Sequence, residues 1–146
     1  MTPEESDWAV HQTGVLILAA IDCESERVAS IIREVAERLG DTGVYAVCCA
    51  VAEAIAVLGK FQRGDGGWHG FEVQNLATGE NVGADAIADD SILDGTRFLM
   101  AHLNGDSAAS LALFYAEPVR VSSGLAKLVS AYGRAREAEH KGRTNG

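Results

Sequence analysis

The chain has 146 residues, of which 47% are hydrophobic and only two are proline. This length and composition argue against disorder and predict one helical domain over residues 1–146, which buries roughly 68–70% of its unfolded surface. The formal net charge of −9 argues against a broad basic surface, so we expect no nucleic-acid partner.

Two amphipathic helices are predicted at the start of the chain. Thr2, Pro3 and Glu5 form a capping-box sequence, which indicates a helix that begins there and ends near Asp22. Apolar residues at helical spacing then predict a second helix over residues 25–39.

The stretch 44–58, which follows a predicted helix stop at Gly40, is apolar on almost every side. It reads VYAVCCAVAEAIAVL, and Glu53 is its one charged residue. A helix that is apolar all round is normally buried, so we predict that 44–58 is the central helix of the fold. Its fifteen residues are too few to span a bilayer, which needs about 20, and we expect no membrane association.

A glycine-rich insert separates the two helical halves of the chain. Four glycines fall among the seven residues 64–70, and residues 71–75 then alternate like a strand. This pattern predicts a small β-hairpin or an ordered loop at about 62–83. Because a two-stranded hairpin is not stable alone, it is expected to pack on the helices.

The second half of the chain predicts three more helices. Asp85 or Asp89 caps a helix that runs to about Leu103. A short helix over 108–116 follows, and Pro118 closes it. Residues 122 and 123, both serine, are predicted to open the last helix.

Together these elements predict an all-α fold, a bundle of five to six helices around 44–58. The halves, about 3–60 and 84–140, also form a possible two-fold pseudo-repeat joined by the 61–83 insert, in which residues 17–32 align with 99–114 at an offset of 82. In that alignment the break at 22–24 matches the break at 104–106. The alternative is that any two amphipathic helical hairpins can be aligned this well.

The three cysteines predict a reducing environment. Cys23, Cys48 and Cys49 are odd in number and show no CxxC or Cys/His spacing, so we expect reduced thiols rather than disulfides or zinc ligands. The acidic N-terminus also lacks the positive charge of a signal peptide. A cytoplasmic location is therefore predicted.

Glu53 is a candidate ligand-binding residue, because a carboxylate buried without a partner has a raised pKa and such groups are frequent at functional sites. The alternative is a structural role, either at the rim of the core or in an ion pair with Arg27, Arg97 or Arg134.

Asp85, Asp89, Asp90 and Asp94 are candidate metal ligands. They form two i,i+4 pairs, and each pair shares one helix face that suits Mg²⁺. Residues 89–94, DDSILD, resemble the aspartate-rich motif of terpene synthases, although the third aspartate comes one position late and the chain is far shorter. The alternative is that acidic residues favour a helix start, with Asp94 paired to Arg97.

Residues 34–37, EVAE, resemble half of the acidic pattern in all-α nucleotide pyrophosphohydrolases. That resemblance implies a second acidic pair on a neighbouring helix, which Glu53 or the aspartates would have to supply. The alternative for Glu34 and Glu37, interleaved with Arg33 and Arg38, is a solvated helix face.

Trp68 and His69 are the candidate ligand-binding residues of the insert. The glycines beside them let the backbone approach a ligand, tryptophan offers a flat apolar surface, and histidine offers a titratable nitrogen. The alternative is that Trp68 and Phe71 attach the hairpin to the core.

These observations favour a non-catalytic, cytoplasmic helical module for protein interaction or regulation, which self-associates and requires no cofactor. One alternative is a Mg²⁺-dependent all-α enzyme that acts on a nucleotide or another phosphorylated substrate. A second alternative is a small-ligand binder that uses the glycine-rich insert.

Overall fold

The structure is a computed structural model and describes residues 1–60, 72–74, 81–83 and 89–144. These residues form, in chain order, α1 (Pro3–Ile21), α2 (Ser25–Leu58), β1 (Glu72–Gln74), β2 (Asn81–Gly83), α3 (Asp90–Leu103), α4 (Ser107–Ala116) and α5 (Pro118–Thr144). The two three-residue strands pair antiparallel. The fold is all-α in class, as predicted, and the hairpin or ordered loop at 62–83 stays a prediction because most of it lies outside the described residues.

The predicted capping box at the start of α1 is confirmed. The Glu5 backbone N–H donates to Thr2 Oγ1 at 3.1 Å, and the Thr2 backbone N–H donates to Glu5 Oε1 at 2.9 Å. The hydrogen bond that the Thr2 backbone N–H donates to the Glu5 carboxylate lowers the pKa of Glu5. The helix ends at Ile21 with Asp22 as its C-cap, where the sequence predicts the end.

The predicted stop at Gly40 divides α2 into two segments. Gly40 has φ 69° and ψ −165°, a conformation that glycine adopts without steric cost and that interrupts the helix. The first segment covers residues 25–39 and the second covers 41–58, so the helix predicted at 44–58 lies within the second segment.

The second segment is central to the core but is not covered on every side. Six of its side chains are buried: Val44, Val47, Cys48, Val51, Ala52 and Ile55. Val57, however, is 72% exposed, and Glu53 also lies at the surface. The second segment is therefore buried in the core except on this outer side.

The helix that packs against each of the other four is α5. It begins at Pro118 rather than at residue 122, so the predicted start is wrong. Proline suits the first position of a helix because its fixed φ is helical and its missing N–H has no partner there. Ser122 is instead an internal residue whose hydroxyl donates to the Pro118 carbonyl oxygen at 2.9 Å.

Two glycines allow α3 and α5 to cross closely. A Cβ atom placed on Gly95 would lie 2.7 Å from the Gly124 carbonyl carbon, and one placed on Gly124 would overlap the Ser91 carbonyl oxygen. The backbones of the two helices therefore pack directly on each other, beside the fully buried Phe98 and Leu125.

The breaks after α1 and α3 have the same geometry at the offset of 82. Cys23 and Gly105 both have positive φ, 59° and 71°. The next residues, Glu24 and Asp106, donate their N–H groups to the carbonyl oxygens of residues 19 and 101, each at 2.9 Å. This agreement supports the pseudo-repeat, which stays a prediction because the same motif ends many unrelated helices.

Among the residues that the structure describes, α2 is the one helix that is long and apolar enough to cross a membrane by length and composition. Core helices of globular proteins meet the same criterion, and ten residues of α2 are buried within the fold.

Candidate functional site

A groove of about 1250 Å³ runs between the first segment of α2 and α5. In the first segment of α2, Val28, Ile31 and Val35 are buried in the core. The adjacent helix face carries Ala29, Ile32 and Ala36, which line the groove. On α5, the core side chains Val121, Leu125 and Val129 alternate with groove residues. Small side chains dominate both walls: Ala29, Ala36, Ser123, Ala126, Ala131 and Ala135.

The charges that line the groove are mainly positive. Among the described lining residues, Arg33, Lys127 and Arg134 are cations, and Glu24 is the single carboxylate. Lys127 is bonded to Asp89 Oδ2 at 3.0 Å, whereas Arg33 and Arg134 have no carboxylate partner among the described residues. A chain of net charge −9 thus places a local excess of cations beside an apolar surface.

An exposed thiol lies at one end of the groove. Cys23 Sγ accepts a hydrogen bond from the Arg134 guanidinium at 3.3 Å and lies 4.0 Å from Ser130 Oγ. Cys48 is buried and Cys49 is half-buried, and burial raises the pKa of both thiols, that of Cys48 to about 12. Cys23 is therefore the most accessible of the three thiols, and it can be labelled or crosslinked at the groove.

A convex apolar surface stands next to the groove. We call it the α4 ridge and define it as the outward face of α4: Ala108, Leu111, Ala112 and Tyr115. All four are exposed, Leu111 by 39% and Tyr115 by 53%. Val119, at the start of α5, is 78% exposed and lines the groove, so it joins the ridge to the groove.

Glu53, the predicted ligand residue, lies at the rim of the core and outside the groove lining. Its Oε1 is 2.7 Å from His102 Nε2, and the His102 ring stacks on Phe98 at a centroid distance of 6.4 Å. This geometry matches the structural alternative. The partner is a histidine on α3, however, and not one of the arginines suggested by the sequence.

Asp89 and Asp94, two of the four predicted metal ligands, contact cations of α5. Asp89 caps α3, and its pKa is held well below the usual range by hydrogen bonds from Ser91 and Lys127. Asp94 Oδ2 lies 2.8 Å from Arg120 Nε, so the suggested pairing with Arg97 is wrong. Asp90 is exposed on the first turn of α3.

The remaining candidates are spread over other parts of the chain. Trp68, His69 and Asp85 lie outside the described residues, and Glu34 and Glu37 are exposed on α2. Within the described residues, no three histidine, cysteine, aspartate or glutamate side chains come together as a metal-binding group. The magnesium site and the insert as a binding site stay predictions.

The groove and the α4 ridge are the features that sequence reasoning missed. Two signals were present: alanine and serine recur along residues 122–138, and residues 107–116 contain no charged side chain. Comparisons of the chain with protein-family models, with curated proteins and with solved structures find no match. Function is therefore inferred from the groove and the ridge themselves.

Proposed function

We propose that this protein is a non-catalytic interaction module that binds an apolar α-helix of a protein partner in the groove between α2 and α5. The observation that carries the proposal is the groove itself, about 1250 Å³ of space between two helices with small, mostly apolar side chains on both walls. An amphipathic helix laid into a hydrophobic groove is a common mode of protein recognition.

The dimensions of the groove suit a helix of about three turns. Its wall on α2 extends from Glu24 to Ala36. At 1.5 Å per residue this is a length of about 18 Å. Alanine and serine side chains let another helix come close, since the distance between helix axes depends on side-chain size at the contact. The crossing at Gly95 and Gly124 shows the same principle within the chain.

The charges of the groove determine which residues are preferred at the two ends of the bound helix. Arg33 and Arg134 are available to carboxylates of a partner, because neither has an acidic partner among the described residues. Complementary charge at the edge of an apolar contact fixes register and suppresses wrong partners. The preferred ligand is thus an apolar helix with acidic residues at its ends.

Peptide binding to protein labelled with a fluorophore at Cys23 tests this function. The probes are two twelve-residue helical peptides of identical apolar sequence, one with glutamate at both ends and one with lysine. We expect the acidic-ended peptide to bind at least about tenfold more tightly, a difference of about 1.4 kcal/mol. The preference should weaken with added salt, because the charges are at the surface.

A substitution that fills the groove is compared with one that adds the same side chain outside it. Ala131→Trp places an indole between the walls and is expected to abolish peptide binding. His11→Trp adds the same bulk on the exposed side of α1, outside the groove, and should leave binding unchanged. Equal binding of both peptides, or unchanged binding to the Ala131→Trp protein, would contradict the proposal.

A further inference from the structure

We infer that the helix bound by this groove is α4 of a second copy, so that two chains form a dimer in which each α4 ridge lies in the groove of the other. This inference rests on the proposed function of the groove and names its occupant.

The α4 helix is apolar and has acidic residues at its ends, as proposed for the preferred ligand of the groove. Its ten residues, 107–116, contain no charged side chain, and the acidic Asp106 and Glu117 flank them. Only Ser110 and Phe114 of this helix are buried in the chain's own core. The outward face is left apolar in water, which is unusual for a surface helix and typical of an interaction site.

The length of α4 also matches the length of the groove. Ten residues of α-helix extend about 15 Å, slightly less than the wall of about 18 Å that α2 offers. The acidic residues at the two ends of α4 would then lie near Arg33 and Arg134, the cations of the groove.

The arrangement of ridge and groove is self-complementary. Val119 joins the α4 ridge to the groove, so a convex and a concave apolar surface lie side by side. A two-fold rotation places the ridge of each chain against the groove of the other. This is the isologous contact that closes a dimer and leaves neither surface free for further association.

Sedimentation equilibrium over a range of protein concentrations measures the predicted dimer. Leu111→Lys puts a charge on the ridge and Ala131→Trp fills the groove, and each is expected to raise the dimer dissociation constant at least about tenfold. Val10→Lys is the control, because Val10 is an apolar residue that is 67% exposed on α1, away from both surfaces. That variant should remain as dimeric as the native chain.

Thiol crosslinking tests the docking itself. Ala112→Cys places a thiol on the ridge, and a short bismaleimide should join it to Cys23 in the groove of the other chain. A covalent dimer is expected well above the amount formed by the native protein. His11→Cys, equally exposed on α1, should form no more than the native protein. Equal crosslinking by the two variants would overturn the inference.

The outcomes separate this inference from the proposed function. Leu111→Lys leaves the groove intact, so the acidic-ended peptide should bind it. If that peptide binds while the native chain is monomeric, the groove function stands and the dimer is overturned. If the peptide fails to bind Leu111→Lys, the groove function is overturned and the dimer with it. A dimer that survives both Leu111→Lys and Ala131→Trp uses another surface and also overturns the inference.

Discussion

Gly124→Ala should be among the most damaging small substitutions in this chain. Gly124 lies inside α5, where alanine is intrinsically favoured over glycine by about 1 kcal/mol. The structure predicts that the substitution destabilises the folded chain instead. An added Cβ atom would overlap the Ser91 carbonyl oxygen of α3, which is backbone and is not free to rotate away. The two helices would have to separate.

The size of the effect follows from that separation. A Cβ atom on the opposing Gly95 would lie 2.7 Å from Gly124, against at least 3.4 Å for ordinary contact, and the overlap at Gly124 is larger. A gap of 0.5–1 Å forfeits roughly a quarter to a half of the dispersion energy of the atoms involved. The contact includes the fully buried Phe98 and Leu125. We expect a loss of about 3 kcal/mol, the upper part of the usual range for overpacking.

Thermal unfolding measures this prediction, with Gly14→Ala as the control. Gly14 is also inside a helix, but apart from the neighbouring residues and backbone of its own helix no atom lies within 4 Å of an added Cβ. At about 3 °C per kcal/mol, Gly124→Ala should lower Tm by about 10 °C, whereas Gly14→Ala should raise it by up to about 3 °C. If Gly124→Ala raised Tm as Gly14→Ala does, the close packing of α3 on α5 would be refuted.

Three further substitutions test local features. Asp89→Ala should cost about 1 kcal/mol at pH 7 because α3 loses its N-cap. Since Ser91 and Lys127 lower the pKa of Asp89 from 3.8, its contribution is complete above that pH and is lost as the pH falls further, so the Tm difference should narrow in acid. Cys23→Gly should raise stability by about 0.5 kcal/mol, because residue 23 has positive φ. Glu53→Leu should remain folded and lose at most about 1 kcal/mol, since the Glu53 side chain of the pair with His102 is 51% exposed.

Matched controls accompany the first two of these substitutions. Asp90→Ala changes the neighbouring carboxylate, which is not the cap, and should cost less than Asp89→Ala at every pH. Cys23→Ala removes the thiol but keeps a side chain at positive φ, so it should not stabilise the chain. Unfolding of the Glu53→Leu protein would contradict the rim position of that residue, and a constant Tm difference from pH 7 to pH 3 would contradict the role of the Asp89 charge.

Helix ends were predictable because local chemistry determines them. The capping box at Thr2 and Glu5, the break at Gly40 and the cap at Asp89 each depend on residues within four positions of one another. The incorrect start of α5 has the same origin. Proline is both a helix terminator and a favoured first residue, and only the fold decides between the two uses.

The contacts between helices were not predictable, because they join residues far apart in the sequence. Glu53 pairs with His102 and Asp94 with Arg120. The sequence had suggested Arg27, Arg97 or Arg134 for Glu53 and Arg97 for Asp94. The groove has the same character, since its two walls come from α2 and α5, which are far apart in the sequence. Amphipathic spacing identifies which face of a helix is apolar but not which helix covers it.

The uncharged face of α4 has two possible roles, and they predict different dependence of Tm on protein concentration. If the α4 ridge served only the isolated chain, Tyr115→Lys would lose the edge contact of the Tyr115 ring with the buried Phe114, at a centroid distance of 5.2 Å, and its Tm would lie below that of the native chain by the same amount at every protein concentration. If the ridge lies in the groove of a second copy, association stabilises the folded state by mass action, and the native Tm rises with concentration. The difference between the Tm of the native chain and that of the Tyr115→Lys protein should then widen as both are concentrated. Parallel Tm values over a hundredfold range of concentration would show that the exposed apolar face of α4 has a purpose other than self-association.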